Sequence, residues 1–123
     1  MTMELGLCEG IRLFNAEKYF EAHEAMEAVW LKASGDRKTF LHGLIQVAAA
    51  FHHHARGNFE GFRSLLEKGC AKLEKFKPAA EGVNVAGLLL QLQPWREYLR
   101  SAHGPARASL PLPVIQRRNA FRD

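Results

Sequence analysis

Apolar residues recur at spacings of three and four along most of this chain, the period of a helix that buries one face. A first segment, about residues 3–14, carries Leu5, Cys8, Ile11 and Leu13 or Phe14 in a weak stripe, and Asn15 supplies a turn or cap residue after it. The second, about Glu17 to Ala33, sets Tyr19, Met26, Trp30 and Ala33 on one side, and Ser34-Gly35-Asp36 ends it. The third, about Lys38 to Arg56, is apolar almost all round through Phe40, Leu41, Leu44, Ile45, Val47, Ala48 and Phe51, which predicts a central helix. Gly57-Asn58 closes it and opens a fourth, whose Phe59, Phe62, Leu66, Gly69, Leu73 and Phe76 step as a packed seam does. Lys68, Lys72 and Lys75 fall on the other face, as a solvated surface would have them. After a loop at Lys77-Pro78, a fifth helix begins near Asn84 with Val85, Leu88, Leu92, Trp95 and Leu99 on one side. Pro94 interrupts it and predicts a kink or restart, because proline lacks the backbone donor and clashes with the carbonyl of Leu90.

Strand signals are nearly absent: no Asn-Gly or Asp-Gly joins alternating apolar runs, and β-branched residues are few. From Gly104 onward Pro105, Pro111 and Pro113 rule out a helix, so "LPLPVIQRR" should run extended, with Leu110, Leu112, Val114 and Ile115 packed on the bundle or on a second copy. "NAEKYFEAHEAME" and "RGNFEGFRSLLEK" also echo one another, with Tyr19, Ala22 and Met26 answering to Phe59, Phe62 and Leu66. Two successive helical hairpins give such an echo. The predicted fold class is therefore all-α, an up-and-down bundle of four to five helices over residues 1–103 with an extended, proline-containing tail over residues 104–123.

Composition narrows the function classes. A chain of 123 residues suits one domain with one core. Its apolar runs fall well short of the roughly 20 residues needed to cross a bilayer. Cys8 and Cys70 have no zinc spacing and no secretory peptide ahead of them, so they read as reduced thiols in a cytoplasmic protein. The net charge of +4 is uneven: residues 1–60 hold 6 Lys/Arg against 8 Asp/Glu, and residues 61–123 hold 11 against 5. Arg96, Arg100, Arg107, Arg117, Arg118 and Arg122 carry much of that excess, but nucleic-acid binders concentrate basic charge further, and a solvated basic surface is the expectation.

The stretch "FEAHEAMEAVW" breaks the pattern. At about 100° per residue, His23 falls inside the stripe of Tyr19, Met26 and Trp30, and Glu27 lands beside it. Glu21 points to solvent and Glu24 sits at the border. A buried carboxylate must be paired, hydrogen-bonded or protonated. On the third helix His42, Gln46 and His53 share a strip, flanked by Ala49 and Ala50, whose small size admits a neighbouring helix. Gln46 and His53 stand about 10 Å apart along the axis at roughly 1.5 Å per residue, a gap that His23 could fill. His23, Glu27, Gln46 and His53 form the candidate constellation, with Glu24 and Trp30 as further binding residues.

Three readings of that constellation stay open. It is a pocket in which His23 or Glu27 acts as general base and Gln46 orients a small molecule; or a divalent-metal site using His23, Glu27 and His53; or a hydrogen-bond network inside an interaction or homo-oligomerising module. "HEAME" falls short of the zincin pattern, since Glu27 stands where a second histidine is required, and no Glu-x-x-His pair occurs on the second or third helix. Ser34 and Ser64 lack a nucleophile-elbow context, and no phosphate-cradling or dinucleotide glycine motif is present.

"LFNAEKYFEAHEAMEAVW", then "FLHGLIQVAAAFHHHARGN" and "LLEKG", resembles the prokaryotic family catalogued as domain of unknown function 309, over about residues 10–76. The resemblance implies a small all-helical bundle without an established activity. Its motif positions map to Asn15, Glu21, His23, Glu24, Glu27, Trp30, Gly43 and Gln46.

Overall fold

The computed structural model describes residues 4–101 and 110–118. Five helices follow one another: α1 (Leu5–Asn15), α2 (Tyr19–Trp30), α3 (Gly35–Ala55), α4 (Phe59–Leu73) and α5 (Val85–Arg100). A 3₁₀ turn at Glu74–Phe76 ends α4, and a two-residue-per-strand hairpin, β1 (Ala79–Ala80) and β2 (Val83–Asn84), leads into α5. The all-α bundle expected from the periodicity is what the chain forms. α3 lies against both α2 and α4, and it buries Phe40, Leu41, Leu44, Ile45, Val47, Ala48, Ala50 and Phe51, which is why its sequence is apolar all round.

The internal echo has a local cause. Glu17 (φ 64°) and Gly57 (φ 76°) are both in the left-handed region immediately after a helix. Behind them Lys18 N–H donates to the Leu13 carbonyl and Asn58 N–H to the His53 carbonyl, each at 2.9 Å. Each is the longer bond of a Schellman turn, completed by Glu17 N–H donating to the Phe14 carbonyl in the first and Gly57 N–H to the His54 carbonyl in the second, so α1–α2 and α3–α4 are hairpins closed by the same kind of turn. Glycine takes that conformation freely, whereas Glu17 takes it against a Cβ clash.

Close approach of α3 and α4 depends on Gly43 and Gly69: a Cβ at Gly69 would lie 2.9 Å from the Gly43 carbonyl oxygen and 2.9 Å from Val47 Cγ2. Behind this seam Phe14, Tyr19, Phe51, Phe62 and Trp95 form a chain of edge-to-face and tilted ring contacts, with Phe51 and Trp95 centroids 5.3 Å apart.

Four expectations shift. The α1 stripe is Leu7, Gly10, Ile11 and Phe14, and Leu5 is 84% exposed, because the helix rests its glycine side on Met26 and Val29. Asn15 does not cap a turn: its amide spans the backbone of Ile115, with Nδ2 donating to the carbonyl at 2.9 Å and Oδ1 accepting from the N–H at 2.7 Å. α5 runs through Pro94 as one element. Pro94 lies on the same face as Leu90, which is 74% exposed, so water can take the carbonyl that proline frees. Finally, a strand pair does form. Glu81 (φ 53°) and Gly82 (φ 79°) make the positive-φ turn that closes a two-residue hairpin, with Glu in place of the usual Asn or Asp.

The tail from Leu110 to Arg118 runs extended over its own bundle. Ile115 is 2% exposed, and Leu110 and Leu112 pack on the core. Gln91 holds Val114 through both its carbonyl and N–H, at 2.8 and 2.9 Å, and Trp95 Nε1 donates to the Pro111 carbonyl at 3.0 Å. Arg117 bridges antiparallel to Val83, adding an edge beside β2. The expectations for Gly104, Pro105, Arg107 and Arg122 fall on residues outside the described ones.

Candidate functional site

A crevice of about 180 Å³ opens where α2, α3 and α4 meet, lined by His23, Glu27 and Trp30 of α2, His42, Ile45, Gln46 and Ala49 of α3, and Leu65 of α4. The helical geometry explains the set. His23, Glu27 and Trp30 succeed one another by about a turn along α2. His42, Gln46 and Ala49 do the same along the antiparallel α3, so Trp30 faces His42, with ring centroids 5.6 Å apart. Ala49 leaves the space that a larger side chain would fill.

Four of the residues singled out in the sequence therefore converge: His23, Glu27, Trp30 and Gln46. Two do not. Glu24 is exposed on the outer side of α2. His53, although on Gln46's face of α3, lies two turns away, where its Nδ1 sits 3.0 Å from Asn58 Nδ2. Asn58 caps α4 by accepting from Gly61 N–H at 3.0 Å, which commits its carbonyl oxygen, so its amide nitrogen donates and His53 Nδ1 accepts. His53 belongs to the α3–α4 turn. Among the described residues no group of three His, Cys, Asp or Glu converges to hold a metal ion, and the proposed set of His23, Glu27 and His53 is not brought together.

Two neighbours escaped the sequence reading of the constellation. His42 was visible on the strip with Gln46 but stood outside the proposed set. Lys72 reads as a solvated residue, yet its Nζ donates to Gln46 Oε1 at 2.9 Å. The signal was Gly69 in the α4 seam, since the close approach it permits brings a long side chain one turn later over α3. An ammonium only donates, so this bond fixes the orientation of the Gln46 amide and leaves the Nε2 hydrogens for another acceptor. Burial lowers the His42 pKa below the ordinary imidazole value, and the charge of Lys72 pushes it the same way. His42 is neutral at pH 7 and offers one donor and one acceptor. A second ammonium, Lys38 Nζ, stands 4.3 Å from the centre of the Trp30 ring.

Polar groups of the crevice are incompletely satisfied. His23 Nδ1 and Trp30 Nε1 are buried and have no hydrogen-bond partner among the described residues. Among the described residues Glu27 enters no ion pair. By contrast Arg96 and Arg100, two of the arginines considered for nucleic-acid contact, both hold Glu67, at 3.0 and 3.3 Å.

Residues 7–65 match the family described as "Domain of unknown function (DUF309)". Over this stretch the chain is similar to DUF309. All eight crevice-lining residues fall inside the DUF309 segment, while Lys72, α5 and the tail lie beyond it. The "Uncharacterized protein YpuF" of Bacillus subtilis (strain 168) is 36% identical over 76 residues, 60% of this chain and 44% of that relative. The match thus spans less than half of the relative's length. No helix of the described residues is long and apolar enough to cross a membrane.

Proposed function

We propose that the crevice is a binding site for a small polar molecule and that the DUF309 bundle serves as its scaffold. The observation that carries this reading is the pair of buried polar atoms without partners among the described residues, His23 Nδ1 and Trp30 Nε1, on two residues of one crevice. Leaving such an atom unpaired costs about 1–3 kcal/mol, and a ligand that bonds to it removes that cost on binding. His23 and Glu27, one turn apart on α2, are the groups placed to move a proton on a bound molecule, and Trp30 and Gln46 are placed to orient it. A divalent ion held by His23 and Glu27 would draw its remaining ligands from that molecule or from water. We place the protein in the cytoplasm, a reading supported by Cys70, a buried thiol outside any disulfide.

The two tryptophans supply the test. Trp95 Nε1 is already bonded to the Pro111 carbonyl, so its indole resonance is an internal reference for that of Trp30. Titration of ¹⁵N-labelled protein with acetamide, imidazole, propionate and ethylammonium is expected to move the Trp30 indole cross-peak saturably with at least one probe while Trp95 stays still. Failure of all four, and of glycine, L-alanine and β-alanine, to move Trp30 overturns the reading. One observation favours a purely structural network instead, the Lys72–Gln46 bond; on that account Gln46→Leu lowers stability and no probe shifts Trp30 in the parent protein.

A further inference from the structure

The crevice presents two kinds of unspent polarity. At its α3 floor and Trp30 wall stand donors: the Gln46 Nε2 hydrogens, left over because Lys72 occupies Oε1, and the Trp30 N–H, which has no acceptor among the described residues. Two ammonium groups flank that side, Lys72 Nζ at 2.9 Å from Gln46 Oε1 and Lys38 Nζ over the Trp30 ring. One turn of α2 away from Trp30, the half-buried Glu27 carboxylate lines the same space and enters no ion pair among the described residues. An ionised carboxylate only accepts.

A simple anion placed on the donors would be repelled by Glu27. A simple cation at Glu27 would be repelled by Lys72 and Lys38. Opposite charges carried on one small molecule satisfy both sides at once, and the cavity of about 180 Å³ limits that molecule to a few non-hydrogen atoms beyond the two charged groups.

Resting on the reading of the crevice as a ligand site, we propose that its ligand class is the small zwitterion, an amino acid whose carboxylate sits on Gln46 and Trp30 and whose ammonium faces Glu27. His42, held neutral beside Trp30, adds a donor to the carboxylate side without adding charge. Leu65, Ile45 and Ala49 supply the apolar wall that a short aliphatic side chain would meet.

The test uses the full chain and the same pair of indole resonances, with glycine, L-alanine and β-alanine set against propionate and ethylammonium, which carry the two charges separately. At least one of the three zwitterions is expected to move Trp30 saturably, with propionate and ethylammonium each at least tenfold weaker. Glu27→Gln and Lys72→Met are expected to weaken that zwitterion about tenfold each, the loss of one charge-assisted contact. Lys72→Arg, which keeps the charge, is expected to retain binding, and an unmoved Trp95 resonance certifies the fold of each variant. Propionate or ethylammonium binding as tightly as the zwitterions overturns the proposal and leaves a charged-ligand site in place. Zwitterions that leave Trp30 unmoved while acetamide or imidazole moves it overturn the proposal alone; silence from every probe overturns it together with the reading it rests on. Equal binding to the Glu27→Gln protein overturns it as well.

Discussion

Tyr19 is buried in the core with a hydroxyl that finds no partner among the described residues. Burial, and then the charge of Glu17, push its pKa from 10.0 up to about 12. The neutral phenol is thus favoured in the folded chain. Its contribution is complete below pH 10 and disappears as the pH rises toward 12, where the unfolded chain ionises first. Tyr19→Phe removes the orphaned hydroxyl. Urea unfolding of this variant should show it unchanged to about 1 kcal/mol more stable at pH 7, and its advantage over the parent should widen between pH 10 and 12. The sequence placed Tyr19 correctly in the α2 stripe, but a stripe carries no information about where a hydroxyl ends. The same limit applies to the site. His23 and Glu27 were legible because polar residues inside an apolar face stand out; Lys72 was not, because a lysine opposite a seam looks the same whether its ammonium meets water or an amide one helix away. His53 misled for the complementary reason: helical phase put it with Gln46, while its ring was committed to Asn58 at the turn.

At the scale of elements, the two hairpins share a turn but differ at its left-handed residue, Glu17 in one and Gly57 in the other. Replacing Glu17 with Gly should relieve the Cβ clash and lower the Tyr19 pKa, for a net gain of about 0.5–1 kcal/mol after the extra freedom of glycine in the unfolded chain is subtracted. Thermal unfolding at neutral pH reads this directly, and a loss of stability would show the strain argument to be wrong. Helix count, order and the centrality of α3 could be read from periodicity, since long amphipathic and all-apolar stretches leave few alternatives. The β1–β2 hairpin could not, because Glu81-Gly82 is a weak turn signal and strands of two residues carry no alternation. Continuity of α5 through Pro94 was hidden too: the cost of a helical proline depends on whether water reaches the freed carbonyl, which only the packing of the helix decides.

Across the whole molecule, the tail joins the far ends of the chain. Asn15 and Ile115 are 100 residues apart, and the clamp between them is completed by Gln91, Trp95 and the backbone of Gly82 and Asn84. Ile115→Ala empties a buried position under this clamp and should cost about 2–4 kcal/mol, measured by urea unfolding with Trp95 fluorescence, its indole being bonded to the same segment. The extended form of the tail and its apolar anchors were legible from its prolines and its Leu-x-Leu-x-Val-Ile run. The amides that grip it were not, because Asn15 and Gln91 bind main chain, and main chain looks alike everywhere in a sequence.

Recognition through backbone groups has a kinetic corollary. With the bundle folded, docking residue 115 beside residue 15 restricts only the chain that follows α5, and the entropy of that restriction is recovered each time the segment lifts away. The amide hydrogens of Val114 and Ile115, though each is held by a side-chain oxygen, of Gln91 and of Asn15, should exchange with deuterium sooner than those of α3. In a protein emerging from the ribosome, the bundle would be assembled first and the seam sewn last.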